Sequence, residues 1–432
     1  MKILLVIPGP LFKEYGGGEV YALNLVNELL EQKIQFDIVS ITSGKLRLPR
    51  YSKISLGNSE LREYYLPLNH GTQSLKEQFQ KILHESNPDV VHANSLKMIA
   101  SQTCHEESIP CIVTAHHGGI CCPKGSMLNG SERICKIKIN TDDCLGCVVK
   151  NIRGGKYFYP FYKQVPVSFR LKIGTIISKF PFIPFLTPLF SVSKEIYKRM
   201  DEWRTILTTA NLLIAPSKTI YDALIRNGAS PMKTIVLQHG IPLLQKQPLS
   251  EDICSRPIRF FYFGRINRSK GLHILLAAFK RLNTDACLTI IGDAITKEEK
   301  KYYSSLKREY SDKNIFWVGN IPHEHVYKEI CKHDIMIHPA IFLEVFGLTI
   351  SEALSAGRPV ISTRCGGSEM QIKDGANGLL IPPNDVAALE EKMQYIIDHP
   401  EVLLELHDNI KQPLSIKEHV HELLNIYNTS KK

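Results

Sequence analysis

The stretch from Met336 to Ile361 constrains the fold more than any other part of the chain, because apolar runs alternate in it with glycine and proline. An apolar run ends at His338, a loop follows, and a helical pattern extends from Gly347 to Ala356. Gly357 ends this helix, and a second apolar run begins shortly after it. The order strand, loop, helix, strand predicts a parallel α/β sheet.

Two glutamates in this stretch, Glu344 and Glu352, have seven residues between them. Glu344 falls in the loop at the carboxyl end of a predicted strand, where open α/β sheets bind ligands. The backbone N–H groups of Gly347 and Leu348 begin the next helix and favour a phosphate. Two acceptors beside an anion site suit a ligand of sugar, diphosphate and ribose. The alternative interpretation is that both glutamates are ordinary solvated side chains.

The segment EVFGLTISEALSAGRPVI resembles the Glu-seven-Glu signature of retaining glycosyltransferases of family 4, which have the GT-B fold. Val345 stands where the family usually has proline. The resemblance implies an α/β protein with two Rossmann-like domains that face each other across a cleft. It implies transfer of a sugar from a UDP- or GDP-sugar to an acceptor hydroxyl with retention of configuration. In this comparison Glu344 binds the donor sugar and is a catalytic candidate, and Glu352 binds the ribose.

Two cations follow another predicted strand, in the segment Gly264 to Gly271, which resembles the family's G-R-x-x-x-x-K-G motif. Arg265 and Lys270 hold its cationic positions, and fixed cations there can neutralise charge that develops on a nucleoside diphosphate. Both are therefore predicted to be catalytic and donor-binding residues. The resemblance adds further donor-binding residues, which are Gly264, Gly292, Val318, Gly319, Phe346, Gly347 and Leu348. No D-x-D motif occurs, so we expect transfer to need no metal ion or other cofactor.

The N-terminal segment begins with a predicted strand at residues 2–7 and a glycine-rich loop, but it lacks the G-x-G-x-x-G pattern of dinucleotide-binding proteins. In the family the corresponding loop faces the cleft, which makes Gly17 and Gly18 candidate donor contacts. Further on, TAHHGGICCPKG resembles the family's T-x-H-D-x-x-x-x-C-P-R-G. His116 takes the histidine position, beside the transferred sugar and so a catalytic candidate, and His117 replaces the aspartate. A histidine at a strand end is otherwise often structural.

Four cysteines follow this motif at Cys122, Cys135, Cys144 and Cys147, and the last two form a C-x-x-C pair. They could hold one structural zinc ion, with Cys121 as a competing ligand. The alternative is a group of free thiols in a small insertion. No export signal is recognised, which favours reduced cysteines over a disulfide framework.

The segment from Lys150 to Lys194 contains eight Lys or Arg residues and no Asp or Glu. It includes FPFIPFLTPLF at residues 180–190, where three prolines are predicted to exclude a regular helix. Apolar residues among basic ones predict attachment to an anionic membrane surface. The alternative is a basic groove for the acceptor.

The 432 residues predict two domains. Their predicted bounds are an acceptor-binding domain at 1–245 with an insertion at about 118–200, a donor-binding domain at 256–412, and a helix at 413–432 that crosses back. Net charge is +10, but no nucleic-acid motif accompanies it. No run of eighteen apolar residues predicts a spanning helix, so we expect a cytoplasmic protein, peripheral on the inner face of the cytoplasmic membrane.

The expected acceptor is a lipid-linked or cell-surface glycan intermediate, as in polysaccharide biosynthesis. Two other functions stay open: a non-catalytic sugar-nucleotide-binding protein, and a nucleotide-sugar epimerase on a similar fold. The sequence does not identify the sugar, the nucleotide, the acceptor or the oligomeric state.

Overall fold

The computed structural model describes residues 1–11, 16–42, 51–56, 59–68, 71–129, 134–149, 155–177, 187–282 and 284–430. The chain divides into two compact units. The first contains Met1–Gln238 and His419–Lys432, and the second contains His239–Glu418. The end of the chain therefore packs with the first unit, although it follows the second in sequence.

The described part of the first unit is built on an eight-stranded sheet. Its strands are β1 (Lys2–Ile7), β2 (Gln35–Thr42), β3 (Tyr51–Leu56), β4 (Ser59–Pro67), β5 (Val90–Ala93), β6 (Cys111–Thr114), β7 (Leu212–Ala215) and β8 (Thr234–Val236). Their order is β3-β4-β2-β1-β5-β6-β7-β8, and only the β3–β4 pair is antiparallel. Residues 3–7 of β1 are buried, as expected for a strand covered on both faces.

Helices connect these strands, and those between β6 and β7 form a separate small bundle. The helices of the unit before its C-terminal segment are α1 (Gly17–Glu31), α2 (Thr72–Ser86), α3 (Lys97–Glu106), α4 (Thr141–Val149), α5 (Gly155–Gln164), α6 (Val167–Ile177), α7 (Thr187–Thr209) and α8 (Lys218–Arg226). The bundle of α4 to α7 has its own core, which includes Leu145, Val149, Tyr162, Val192 and Ile196. It occupies most of the insertion predicted at about 118–200.

The proline-rich stretch at 180–190 is only partly described, from residue 187 onward. There the prediction of an irregular chain is wrong, because α7 begins at Thr187. Pro188 is the second residue of α7, and a residue in the first turn of a helix needs no N–H donor for the helical ladder. Residues 180–186 lie outside the described residues.

The second unit has a parallel sheet of six strands in its described residues. The strands are β9 (Arg259–Phe263), β10 (Cys287–Ile291), β11 (Ile315–Gly319), β12 (Ile335–His338), β13 (Val360–Thr363) and β14 (Gly378–Ile381). The helices are α9 (Leu272–Phe279), α10 (Lys297–Glu309), α11 (His323–Ile330), α12 (Leu348–Ser355), α13 (Ser368–Gln371), α14 (Val386–Asp398) and α15 (Val402–Asp408). The strand order is β11-β10-β9-β12-β13-β14, so the order reverses between β9 and β12.

The last helix, α16 (Ile416–Ser430), joins the first unit from His419 onward. In the first sheet the strand order reverses between β1 and β5. Each sheet therefore has one reversal point, and ligands of open α/β sheets bind beside such points at the carboxyl ends of the strands. A search of the described residues finds no helix long and apolar enough to cross a membrane.

Candidate active site

The loops that follow β9 and β12 meet at the reversal point of the second sheet, where an ion pair joins them. The Nζ atom of Lys270 lies 2.6 Å from Oε2 of Glu344. The side chain of Glu344 is only 11% exposed and that of Lys270 is 22% exposed. The Lys270 ammonium also lies 5.0 Å from the ring centroid of Phe342. The structure thus brings together two of the predicted site residues, which are 74 positions apart in sequence.

A buried histidine completes this cluster. The Nε2 atom of His338, the last residue of β12, lies 3.5 Å from the same oxygen of Glu344. Burial alone would raise the pKa of Glu344, but Lys270 and His338 outweigh it and lower that pKa to about 2. Burial lowers the pKa of His338, against the opposing effect of Glu344. Near neutral pH the cluster therefore contains an ionised carboxylate, which accepts hydrogen bonds and does not supply a proton.

Short-range backbone contacts fix the loop that carries Lys270. The side chain of Asn267 accepts a hydrogen bond from the Lys270 N–H at 3.1 Å, and this caps a single 3₁₀ turn. The N–H of Ile341 donates to the carbonyl of Ser269 at 2.9 Å, which ties the two loops together. Gly271 has φ +75°, and a Cβ atom there would lie 1.8 Å from the carbonyl oxygen of Pro339. Glycine is required here for both reasons.

The loop around Glu344 is held by the chain that follows β13. The N–H of Glu344 donates to the carbonyl of Cys365 at 2.7 Å, and the N–H of Gly367 donates to the carbonyl of Glu344 at 2.8 Å. A Cβ atom on Gly367 would lie 2.5 Å from the backbone of Phe346. Two strand-like backbone bonds therefore position this carboxylate more firmly than a free loop would.

The start of α12 depends on Gln371, a residue that sequence reasoning missed. Its amide nitrogen donates to the carbonyls of Phe346 and Gly347, the latter at 3.3 Å. Its amide oxygen accepts a hydrogen bond from Ser351 Oγ at 2.6 Å. Gly347 precedes α12 with φ +87°, so the helix starts abruptly at Leu348. The N–H of Leu348 lies in the first turn, where N–H groups have no acceptor within the helix. This role of Gln371 becomes visible only in the folded chain, which brings it next to Phe346 and Ser351.

Arg265 has a different partner from the one expected. Its guanidinium lies 2.9 Å from Oε1 of Glu299 and donates to Oε2 at 3.0 Å. Glu299 also accepts from the N–H groups of Ile295 and Thr296, each at 3.0 Å, before α10. Arg265 is thus paired with a helix-capping carboxylate through Nε and Nη2, and its side chain is 40% exposed.

The other predicted donor-binding residues of this unit lie at the same edge of the sheet. Gly264 and Gly292 directly follow β9 and β10, with φ +145° and +135°. A Cβ atom on Gly292 would lie 1.9 Å from the carbonyl oxygen of Gly264, so the two loops pass closely. Val318 and Gly319 end β11, and Gly319 accepts a bond from the Gly292 N–H at 2.8 Å. Glu352 lies half-buried within α12.

In the first unit, His116 lies two residues beyond β6 in a polar group. Its Nε2 atom lies 2.5 Å from Oδ1 of Asn94, which directly follows β5. The ring of Tyr21, from α1, has its centroid 4.9 Å from the His116 ring centroid. Tyr21 lies one turn after Gly17 and Gly18, the first two residues of α1. These residues therefore come from elements beside the reversal point between β1 and β5, and the role predicted for His116 stays a prediction.

Two buried His–Tyr pairs, which no sequence pattern predicts, link this region to α16. The hydroxyl of Tyr21 lies 2.9 Å from Nε2 of His419. His92 lies between Tyr427 and Thr114, with both oxygens 2.7 Å from its ring nitrogens. Burial lowers the pKa of His419 to about 4 and that of His92 to about 3. Both rings are neutral near pH 7, which suits their buried sites.

The predicted structural zinc site is not found in the part of the chain that the structure describes. Among the described residues, which include all four cysteines, no group of three or more His, Cys, Asp or Glu side chains could hold a metal ion. The thiol of Cys147 donates to the carbonyl of Leu128 at 3.3 Å. Burial, together with the neighbouring thiols of Cys122, Cys135 and Cys147, raises the pKa of Cys144 to about 11. Cys122 and Cys135 are likewise free thiols.

Comparison with known proteins assigns each unit to a family. The family described as glycosyl transferases group 1 matches residues 246–413, and glycosyltransferase family 4 matches residues 15–135. A sucrose synthase from Acidithiobacillus caldus is 34% identical over 163 residues, which are 33% of this chain and 20% of that protein. The chain spans half or less of the length of the first curated relatives it matches.

Solved structures share this fold along almost the whole chain. Sucrose-phosphate synthase from Thermosynechococcus elongatus has a TM-score of 0.70 at 18% identity, over 99% of this chain and 98% of that one. HepE from Anabaena, solved in complex with UDP, has a TM-score of 0.67 at 16% identity, over 99% of this chain and 100% of that one. At these identities the likeness shows the fold. The chain has the GT-B fold and belongs to the group 1 and family 4 glycosyltransferases.

Proposed function

We propose that this protein is a retaining glycosyltransferase that moves a sugar from a nucleotide-sugar to an acceptor hydroxyl. The observation that carries the proposal is the ion pair between Lys270 and Glu344 at the reversal point of the second sheet. A lysine ammonium has three N–H donors, so Lys270 can hold Glu344 and still donate to phosphate oxygens. A carboxylate with a pKa of about 2 stays ionised and accepts hydrogen bonds from sugar hydroxyls.

Each site residue then has a distinct role. Glu344 binds the donor sugar, and Glu352 binds the ribose. Lys270 holds the diphosphate, together with the N–H of Leu348 and the N-terminal dipole of α12. Arg265 joins them through N–H donors that its bonds to Glu299, made by Nε and Nη2, do not use. Gly17, Gly18, Gly264, Gly292, Val318, Gly319, Phe346 and Gly347 complete the donor-binding set, and His116, from the first unit, contacts the transferred sugar.

In the reaction, the bond between the anomeric carbon and the diphosphate oxygen breaks, and its electron pair stays on the diphosphate. A new bond forms from the acceptor oxygen to the same face of the anomeric carbon, and the departing diphosphate takes up the acceptor proton. Negative charge develops on the leaving group, where Lys270 stabilises it. No D-x-D motif is present in the sequence. We propose that Lys270, the N–H of Leu348 and the N-terminal dipole of α12 replace a divalent cation.

The donor is a UDP- or GDP-sugar, and the UDP in the HepE complex favours the first. The acceptor is a lipid-linked or cell-surface glycan intermediate of polysaccharide biosynthesis. We place acceptor binding in residues 1–245, donor binding in 256–412, and the returning helix in 413–432. The resemblance of residues 344–361 to retaining enzymes supports retention. The basic, acid-free segment of residues 150–194 supports a peripheral position at the inner face of the cytoplasmic membrane.

The test is nucleotide release from a panel of UDP- and GDP-sugars, with and without a lipid or glycan extract, with EDTA or added Mg²⁺. We expect release that depends on one donor and on the extract, with EDTA having no effect. NMR of the product should show the anomeric configuration of the donor. Donor binding without release would identify a binding protein, and a changed sugar without acceptor would identify an epimerase. Loss of activity in EDTA that Mg²⁺ restores would reject metal independence.

A further inference from the structure

Two neighbouring helices of the small bundle, α5 and α6, leave four large apolar side chains in solvent. Tyr157 is 81% exposed, Phe161 73%, Phe169 56% and Ile176 58%. Soluble proteins expose single apolar residues routinely, but four on two consecutive helices form an unusual group. These four residues are called the α5–α6 face below.

Helical spacing aligns the members of this face. Tyr157 and Phe161 are four residues apart on α5, and Phe169 and Ile176 are seven residues apart on α6. Residues four or seven apart lie on the same side of an α-helix. Each helix therefore presents one apolar stripe to solvent.

The core beneath these helices does not need these side chains. Tyr162 is buried and stacks on Phe158 with ring centroids 5.1 Å apart. The guanidinium of Arg170 lies 5.9 Å from the Tyr162 ring centroid, and Asp142 neutralises it at 2.5 Å. Tyr162, Phe158 and Arg170 thus occupy the inner sides of α5 and α6. The outward stripes need another explanation than an incomplete core.

Charge distinguishes the possible occupants of the face. Lys163 and Lys172 are exposed on the same two helices, and residues 150–194 contain no acidic side chain. A second copy of the chain would bring these lysines towards equivalent lysines across a two-fold axis, which is unfavourable. A bilayer with anionic lipids accepts aromatic side chains at its interface and attracts lysines to its surface.

We propose that the α5–α6 face docks on an anionic lipid bilayer, with Tyr157, Phe161, Phe169 and Ile176 in the interface and Lys163 and Lys172 at the headgroups. Lys172 lies three residues after Phe169 and four before Ile176, so α6 combines an apolar stripe with an adjacent lysine, as helices in the membrane plane do. Lys163 adds positive charge from another side of α5. The inference rests on the proposed function, which puts residues 150–194 at the membrane, and deepens it by naming the side chains that make the contact.

The test is co-sedimentation of the full chain with phosphatidylcholine vesicles, with and without phosphatidylglycerol. We expect binding that needs phosphatidylglycerol and weakens as salt is raised. Lys163→Glu with Lys172→Glu should lower the partition coefficient by at least about fivefold per lysine. Tyr157→Ser with Phe161→Ser, and separately Phe169→Ser with Ile176→Ser, should each lower it by at least about tenfold.

The control is Met232→Ser with Leu404→Ser, which removes apolar side chains that are 91% and 41% exposed outside the bundle. It should leave vesicle binding unchanged. Circular dichroism of each variant checks that the helices are retained. Equal binding of wild type and both serine variants would overturn the proposal, as would light scattering that shows a dimer lost in those variants. Vesicle binding needs no donor, so its failure is distinct from failure of nucleotide release.

Discussion

The ammonium of Lys270 and the carboxylate of Glu344, 2.6 Å apart, join the loops after β9 and β12, the two strands between which the second sheet reverses its order. The pair places a cation and a fixed acceptor where α/β sheets bind ligands. It also explains why Glu344 stays ionised although it is buried, since Lys270 and His338 outweigh the cost of burial. The predictions below separate what this pair contributes to catalysis from what it contributes to stability.

Removing the cation should slow the chemical step. Lys270→Ala is expected to lower kcat by about 100- to 1000-fold, the usual effect of losing one group that stabilises developing charge. Donor-dependent nucleotide release measures this. Lys301→Ala, at an exposed position of α10, is the matched control and should have little effect. Near-normal turnover of Lys270→Ala would show that this loop does not contact the phosphates.

Neutralising the carboxylate should change how stability depends on pH. The pKa of Glu344 is lowered from 4.5 to about 2, which corresponds to about 3 kcal/mol of unfolding free energy at 1.36 kcal/mol per unit. A carboxylate whose pKa is lowered in the folded state stabilises the protein above pH 4.5. This stabilisation is lost as the pH falls towards 2. Urea unfolding should therefore show wild type and Glu344→Gln converging over that window. Lys270→Met should reduce the pH dependence of the unfolding free energy. A difference in unfolding free energy between wild type and Glu344→Gln that stays constant from pH 4.5 to 2 would contradict the lowered pKa of Glu344.

The sequence predicted the second unit best, because its elements are local and clearly separated. The helix predicted from Gly347 to Ala356 forms as α12, and the apolar run that ends at His338 forms β12. Gly357 and the proline after it mark the boundary there. In α4 to α7 local signals conflict with tertiary structure: α5 contains Pro160, yet it packs on the small core of the bundle.

Long-range polar partners explain what sequence reasoning missed. Arg265 and Glu299 are 34 positions apart, and Tyr21 and His419 are 398 positions apart. Such pairs depend on which loops the sheet order brings together, and no periodicity encodes them. Gln371 was missed for the same reason, since its partners precede it by 20 to 25 positions.

The buried pair between α1 and α16 predicts a loss of stability in mild acid. Burial lowers the pKa of His419 from 6.5 to about 4. As the pH falls, His419 is therefore protonated in the unfolded chain before it is protonated in the folded protein. Stability linked to His419 is therefore complete above pH 6.5 and decreases towards pH 4, by about 2 kcal/mol at pH 5. His419→Gln should unfold with a flatter pH dependence, and exposed His421→Gln on the same helix is the control. Identical pH profiles for wild type and His419→Gln would contradict this.

The support of α12 by Gln371 predicts an effect on donor binding. Gln371→Ala leaves the carbonyl of Phe346 and the hydroxyl of Ser351 without this partner, which should cost about 1–3 kcal/mol. A loosened loop should also lower kcat/KM for the donor by about ten- to hundredfold. Gln394→Ala, which removes only a surface bond to Asp398, is the control. A destabilised Gln371→Ala enzyme with unchanged kcat/KM would place the donor elsewhere.

Two glycines with the same backbone conformation separate strain from steric fit at the ion pair. Gly271 and Gly375 both have φ +75°, but a Cβ atom on Gly271 would lie 1.8 Å from the carbonyl of Pro339, whereas one on Gly375 would meet nothing within 4 Å. Gly375→Ala should therefore cost only the left-handed conformation, about 1–2 kcal/mol.

Gly271→Ala should cost about 1–3 kcal/mol more, because the loops after β9 and β12 must separate. That separation would also pull Lys270 from Glu344, so nucleotide release should fall in Gly271→Ala and persist in Gly375→Ala. Urea unfolding and donor turnover of both variants measure this. If Gly271→Ala is insoluble while Gly375→Ala is soluble, that result would also show that a Cβ atom at position 271 disrupts the two loops. Equal losses of stability in the two variants would show that the close approach of Gly271 to Pro339 does not hold the ion pair in place.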